Sequence, residues 1–561
     1  MKSQQHILAA SVSACFMLFS NTNHAAPAPN AGQLLQQQQQ GQILEPQPAV
    51  QIENTANPIA PTAIDVQIPV RKIEIIGNSR FSTQQLHQLV VDAEGQQLTL
   101  NQLWQVAQKI STYYQQHGYG YSRAYLPQQN LSQGIVRINV LEAYYDKTQI
   151  DNQSRTQNWL IEQTVAPLKQ GERINSDQMQ QQLKLLNRLK GVNTRNVLSP
   201  GTTVGSSQLN VEVQNASLIN GYIGADNFGN KYTSRVRGTA GVSVNNLAGL
   251  GDELSLDLMT AGKRMNYGRI GYAFTFTGMG THAGASYSYL DYELGKDLKS
   301  IGAEGSAAQS SVFISQPALL TNTAEVLLSL QYDHKQLKDD IQLNQYDKHR
   351  NIDVVTARLD GSQFDQFMGG GLTQYGASTS YGRVKFKNDD AAALDNQTAK
   401  TAGNYYTATL NLSRLQNLGG KGTQGYLGIY GQYSPYNLDS AEQYLGGGPF
   451  NVRGYESSQF AGSTGYLATA ELRQSLFANA KHQLTGKVFV DTAEVTLNAQ
   501  RWAGVTGDNQ VQISSAGLGL NWSSLWNIQA NAEVAFPIGS TPEQLKDRDN
   551  QQYWLSLRKT F

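Results

Sequence analysis

The sequence predicts a membrane β protein: a transmembrane barrel of about sixteen antiparallel strands behind a smaller soluble α/β region. Three observations predict it. After about Ser217, segments of nine to fifteen residues alternate apolar and polar with period two, separated by Gly-, Asn- and Asp-rich breaks. No stretch approaches about 20 unbroken apolar residues, so a helical membrane span is excluded. Between Val66 and about Asn215 the pattern is instead that of helices and short strands, in an order that occurs twice.

Composition narrows the class further. The chain has 561 residues, zero net charge, only 15% charged residues and a mean hydropathy of −0.42. A polar average suits a barrel, whose strands show every second residue to lipid and the rest to the lumen. There is no basic excess to bind nucleic acid. The start reads as an export signal over residues 1–26. Lys2 supplies the positive region, Ile7 to Phe19 the apolar core, and Ala25 and Ala26 the small residues before cleavage. Val12-Ser13-Ala14-Cys15 is similar to a lipoprotein cleavage box, but Phe16 to Phe19 continue the apolar core past the cysteine, which favours ordinary cleavage. Cys15 is the single cysteine, so the mature chain is expected to hold neither disulfides nor thiolate metal sites.

Residues 27–48 carry Leu34, Leu35, Ile43 and Leu44 around a Gln36–Gln40 run. The apolar spacing permits one short amphipathic helix at 31–44, and a disordered tail fits the same composition. A Pro-rich linker follows over 49–65. In the first α/β module, 66–143, Ile73-Glu74-Ile75 is strand-like and Ser82 starts a helix with Leu86, Leu89 and Val90 inward. A longer helix places Leu100, Leu103, Trp104, Ala107, Ile110 and Tyr114 on one face. Strands at 119–126 and 135–141 complete the order β-α-α-β-β. The second module, 144–216, repeats it, with Met179, Leu183 and Leu186 on the inner face of its second helix.

The barrel occupies 217–561. Leu254, Leu256 and Leu258 oppose Ser255 and Asp257, and Val488 and Val490 oppose Lys487 and Asp491, so Asp491 points into the lumen. The same alternation turns Glu471 and Arg473 inward. The longest connections are 291–308, 386–403 and 436–464. The last holds Gly446 to Tyr455, a glycine-braced, folded-back turn with Arg453 as its one charge. The final strand alternates Tyr553, Leu555 and Leu557 on one side and ends on Phe561.

These stretches resemble a known family. Gly118-Tyr119, Leu131 to Gly134 and Val136 to Glu142 look like a polypeptide-transport-associated (POTRA) domain, although the usual Glu-Gly ending is Glu142-Ala143 here. With Asp226 to Asn230, Asn245 to Asp252, Glu442 to Tyr455 and Phe489-Val490-Asp491, the chain resembles the two-partner secretion transporters (TpsB family) of the outer-membrane assembly superfamily. The family more often has glycine where Ala493 stands. The resemblance implies two periplasmic POTRA domains, an N-terminal plug helix and a loop folded into the lumen. There the Val452-Arg453-Gly454-Tyr455 motif would pair through Arg453 with Asp491, with Glu471 and Arg473 as further lumen charges. It implies Phe561 as a signal for the barrel assembly machinery. It also implies secretion, by a monomer in outer-membrane lipid, of one large β-rich partner: an adhesin, haemolysin or contact-dependent inhibition toxin. An alternative within the superfamily is a barrel-assembly or translocation factor, which more POTRA copies and no plug would favour. No enzyme is expected. The histidines outside the signal and α/β regions fall at His282 and His482 near one end of the barrel and His334 and His349 near the other. No metal-ligand spacing, cofactor motif or nucleotide-binding loop occurs.

Overall fold

The computed structural model describes residues 28–39, 52–54, 66–420, 422–540, 545 and 549–561. The expected export signal, the end of the expected plug segment and most of the linker lie outside the described residues.

Helix α1 (Ala31–Gln39) begins the described chain, and β1 (Ile52–Asn54) follows. The first α/β unit then runs β2 (Lys72–Ile76), α2 (Thr83–Gln88), α3 (Leu100–Gln116), β3 (Arg123–Tyr125) and β4 (Ile135–Leu141). Both helices start on capping boxes. Ser82 Oγ accepts from Gln85 N while the Gln85 side chain accepts from Ser82 N, and Thr99 and Gln102 do the same for α3. β2 lies parallel to β4 and β3 antiparallel to it. The core is Ile73, Leu86, Val90, Leu103, Ala107, Ile110, Tyr114, Val136 and Ile138. Two details differ from the sequence reading. Trp104 is exposed and Val106 buried, because the inner face of α3 is centred one position round from the expected one. The strand expected at 119–126 shrinks to three residues because Gly118 (φ +83°) leads into a turn closed by Ser122 N donating to Tyr119 O.

The second unit repeats the order with β5 (Tyr144–Asn152), α4 (Asn158–Val165), α5 (Ser176–Asn187), β6 (Val192–Pro200) and β7 (Ser206–Asn215). Its first strand again pairs parallel to its last, and the last two pair antiparallel. β1 joins this sheet, parallel to β6, with Ile52 opposite Asn196. The chain's own linker thus occupies one edge of the second sheet. Ile52-Glu53-Asn54 lies in the stretch between Pro48 and Pro58, which contains no proline, so its amides are free to join a ladder.

Sixteen antiparallel strands then close into a barrel, from Ile219–Asp226 to Gln552–Thr560. Closure joins the first strand to the last, with Tyr222 opposite Thr560 and Asp226 opposite Ser556. Leu256, Leu258, Val488, Val490, Tyr553, Leu555 and Leu557 all face outward. Barrel strands 6 (Ala303–Leu320), 7 (Ala324–Ile341) and 8 (Tyr346–Asp365) have 18, 18 and 20 residues, longer than the expected nine to fifteen. About 9–11 residues cross a bilayer, and these strands continue beyond it. Their outward faces turn polar there, with His334 bonded to Asp353 and His349 to Asp340.

The second unit is seated on the turns at one end of the barrel. Asp252 is buried and accepts from the amides of Leu247, Ala248 and Leu250, which shapes the first turn. Asn246 on that turn donates to Thr156 Oγ1 at 2.9 Å, and Gln157 N donates to Gly249 O at 2.8 Å. Arg188 pairs with Glu325, and Lys190 with Glu253 at 3.3 Å.

Glu142 fastens the two α/β units together. Its carboxylate accepts from Ser79 N, Ser79 Oγ, Arg80 N and Tyr114 OH in the first unit and from Arg173 Nε in the second. Burial alone would push the Glu142 carboxyl up, but bonds from Ser79, Arg80 and Arg173 outweigh it and hold the pKa at about 2 instead of 4.5. Its contribution to stability is therefore complete above pH 4.5 and lost as pH falls towards 2. We expect Glu142→Gln to weaken the α/β region by about 1–3 kcal/mol at neutral pH. The gap from wild type should narrow below pH 4.5. Thermal melts of the helical circular-dichroism signal check this, because most of the helix lies in the α/β region; an identical gap at pH 7 and pH 3 would contradict the assignment.

Candidate functional site in the barrel lumen

The loop between barrel strands 11 (Thr423–Tyr433) and 12 (Thr464–Ala478) folds back into the barrel. Its base is a short ladder of Tyr444–Gly446 with Phe460–Gly462. Asn451 ties the tip: its Nδ2 donates to Tyr444 OH and Leu445 O, and its Oδ1 accepts from Gly447 N and Val452 N. Gly447 and Gly448 take φ of +87° and +110°, and a Cβ at Gly447 would stand 2.5 Å from Glu456 O. Gly454 is needed for proximity instead. A Cβ there would lie 2.6 Å from Ser515 Cβ and 2.9 Å from Pro537 N, so the loop backbone rests directly on the wall. Val452 and Tyr455, buried on either side, pack with Ala493, Val511 and Ile513.

That seating delivers Arg453 to barrel strand 13 (His482–Thr496). Nε donates to Asp491 Oδ2 at 2.9 Å and Nη2 to Oδ1 at 2.7 Å, a two-pronged pair, and Arg453 N also donates to Oδ2 at 3.2 Å. Nη1 reaches Glu471 Oε1 at 2.7 Å and Glu533 Oε2 at 3.3 Å. The guanidinium lies 3.4 Å from the centroid of the Phe489 ring. Trp554 Nε1 donates to Arg453 O at 2.7 Å. Asp491 is 0% exposed, and its remaining acceptor capacity is met by Thr469 and Ser515 hydroxyls. Arg473 holds the other oxygen of Glu471 at 2.7 Å, and Lys487 pairs with Glu533 at 2.7 Å. Three cations thus meet three anions, and the cluster is neutral.

The structure brings Arg453, Asp491, Glu471 and Arg473 into one network. Sequence reasoning missed Glu533, Phe489 and Trp554 as members. The available signal was their inward phase; what placed them level with Arg453 was the stagger between strands. Phe561 lies elsewhere, at the seam: its amide and carbonyl bond Gly221, with the ring over that glycine. The first connection of the barrel touches the loop, through Phe228 edge-on to Phe450 and through Ser457 Oγ, which donates to Phe228 O at 2.8 Å.

Helix α1 lies inside the barrel against strands 5 (His282–Glu293), 6 and 7. Leu34 and Leu35 are buried among Met265, Leu290, Leu294, Leu337 and Leu438. Its glutamines bond outward, Gln36 to Gln443 O, Gln37 to Phe228 O and Gln39 to Gln309. The amphipathic spacing therefore serves a helix with an apolar stripe on one side and polar lumen contacts on the other.

Known proteins share this architecture. Residues 68–143 match the family model for a POTRA domain, ShlB-type, and residues 205–522 match that of the haemolysin secretion/activation protein ShlB/FhaC/HecB. The chain is 29% identical to the heme/hemopexin transporter protein HuxB of Haemophilus influenzae over the whole of both chains. It is 24% identical to the outer membrane transporter CdiB of Dickeya dadantii over 66% of each. The solved structure of CdiB from Escherichia coli superposes with a TM-score of 0.69 at 19% identity, covering 90% of this chain and 93% of that one. CdiB from Acinetobacter baumannii gives 0.61 at 18% identity, over 94% and 96%. The chain belongs to the ShlB/FhaC/HecB family of two-partner secretion transporters and is a β-barrel of the outer membrane.

Proposed function

We propose that this chain captures one large, extended, β-rich partner protein in the periplasm and secretes it through the barrel to the cell surface, without hydrolysing nucleotide. The observation that carries the reading is the occupied lumen. A sixteen-stranded barrel left empty would leak, and here a helix and a folded loop fill it, both held only by non-covalent contacts. Removable contents suit a conduit that must open for a polypeptide and close again. They also favour secretion over a barrel-assembly role.

In this reading residues 27–48 are the plug, 49–65 its linker, and 66–143 and 144–216 two POTRA receptor modules. An extended segment of the partner can add as a strand to a free sheet edge. β5 offers one beyond Tyr145, at the end of the second sheet away from β1; its first two residues already pair with Gly171 to Arg173. Val452, Arg453, Gly454 and Tyr455 form the closing face of the loop, and Asp491, Glu471 and Arg473 its seat. Folding of the partner outside the cell opposes backsliding. Phe561 serves insertion by the barrel assembly machinery. The full-length match to HuxB proteins, against partial matches to CdiB, favours a partner concerned with heme or hemopexin over a contact-dependent inhibition toxin. The test is to look for a large exported protein encoded beside this chain, delete this chain and follow that protein. That protein should stay inside the cell and return to the surface on complementation; release without this chain would overturn the reading.

Two further outcomes follow from the lumen contacts. Deleting residues 27–48 should leave a folded barrel with raised conductance in planar bilayers, and an unchanged leak would remove the plug role. Arg453→Ala and Asp491→Ala should each cut secretion by about tenfold or more while the barrel still assembles. Arg453→Ala leaves Asp491 as a buried charge without its partner, a loss of roughly 3–5 kcal/mol, and Asp491→Ala removes the two-pronged seat while Arg453 keeps Glu471 and Glu533. The double substitution should fall within about twofold of either single one, since one interaction is lost in all three. Multiplying effects would show that the two residues act separately.

A further inference from the structure

A second buried ion cluster lies on the wall at barrel strands 7 and 8, away from Arg453. Arg350 is 0% exposed and spends its donors on three groups. Nη1 donates to Asp339 Oδ2 at 2.7 Å, Nε to Asp439 Oδ2 at 2.5 Å and Nη2 to Ser440 Oγ at 3.0 Å. Asp339 belongs to the wall, whereas Asp439 and Ser440 belong to the base of the lumen loop. The other oxygen of Asp339 accepts from Tyr292 OH at 2.6 Å and from the first amide of α1, Ala31 N, at 2.7 Å. A carboxylate at a helix N-terminus is favoured by the helix dipole as well as by the hydrogen bond. One guanidinium–carboxylate pair therefore holds the helix through one member and the loop through the other. Lys335 adds a parallel tie to the loop, meeting Glu442 at 2.6 Å.

Packing joins the same two parts independently of charge. A Cβ on Gly32 of α1 would stand 2.6 Å from Ala441 N and 2.7 Å from Ser440 Oγ, so helix and loop base touch backbone to backbone. Leu34 and Leu35 share one apolar cluster with Leu438 and Ala441. Gln36 Nε2 closes the contact on Gln443 O at 2.8 Å.

We propose that Arg350 is a positioning residue for transport, which fastens the plug helix and the loop base into one unit that releases as a whole. Withdrawal of the helix uncaps Asp339 and opens the wall pair to water. Displacement of the loop base leaves Arg350 with a buried charge short of its partner, which is costly in so enclosed a place. Each movement weakens what holds the other. The meaning of that release rests on the secretion reading above; the coupling itself does not.

The test therefore uses no cargo. Ala31→Cys and Ala441→Cys, buried and nearly isosteric, are placed one at a time in the full chain lacking Cys15 and reacted with an impermeant maleimide. Both thiols should be protected in the parent. Arg350→Gln should speed both by about tenfold or more, and to similar extents. Gly32→Val, which wedges the surfaces apart with no change of charge, should do the same. It also covers the case in which Arg350→Gln does not assemble, as judged by heat-modifiable mobility. Acceleration at one position alone, or at neither, overturns the proposal. A chain that labels as expected yet secretes nothing overturns the secretion reading and leaves the coupling standing.

Discussion

Everything in this molecule follows from the need to satisfy every backbone amide and carbonyl at membrane depth. An open sheet leaves an edge; sixteen strands closed first to last leave none. Closure brings a second condition, because a barrel of this size encloses more space than its own inward side chains fill. Here the folded loop and helix α1 occupy that space. Charged groups inside it must then find partners, since water is largely displaced by the loop and helix. The two ion clusters meet that condition at two places on the wall, one holding the loop near its tip and the other at its base.

The two clusters differ in how they are built. Around Arg453 the arginine comes from the loop and the anions from the wall. Around Arg350 the arginine comes from the wall and one anion, Asp439, from the loop. The loop therefore presents opposite charges at its two ends, and it cannot be seated in the reverse sense without placing like charges together. Gly454, pressed against Ser515 and Pro537, adds a steric condition to the same effect. A loop with these constraints has one docked position.

Much of this was legible in the sequence, for identifiable reasons. Period-two alternation fixes which way Asp491, Glu471 and Arg473 face, and Arg453 is the single charge on a glycine-braced turn, so the facing was readable residue by residue. Glu533 and Trp554 were not, because which inward positions stand level depends on the stagger summed over several strands. Arg350 and Asp339 stand on adjacent strands, where opposite charges at inward positions were the available clue, but the groups that complete their cluster, Asp439 and the first amide of α1, come from distant parts of the chain. Strands 6 to 8 outran their expected lengths because beyond the membrane the outward face turns polar and the alternation stops marking where pairing ends. Three residues of β1 within a linker give no pattern long enough to tell a strand from an extended tether.

That short strand has a consequence for what becomes of the helix. Twelve residues separate Gln39 from Ile52, a reach of at most about 43 Å even at full stretch. A helix drawn out of the lumen while β1 stays laddered to β6 remains leashed close to the barrel mouth. Its local concentration there is on the order of millimolar, independent of how many copies the membrane holds. Under the proposed plug role, re-entry would then be a unimolecular event, insensitive to dilution.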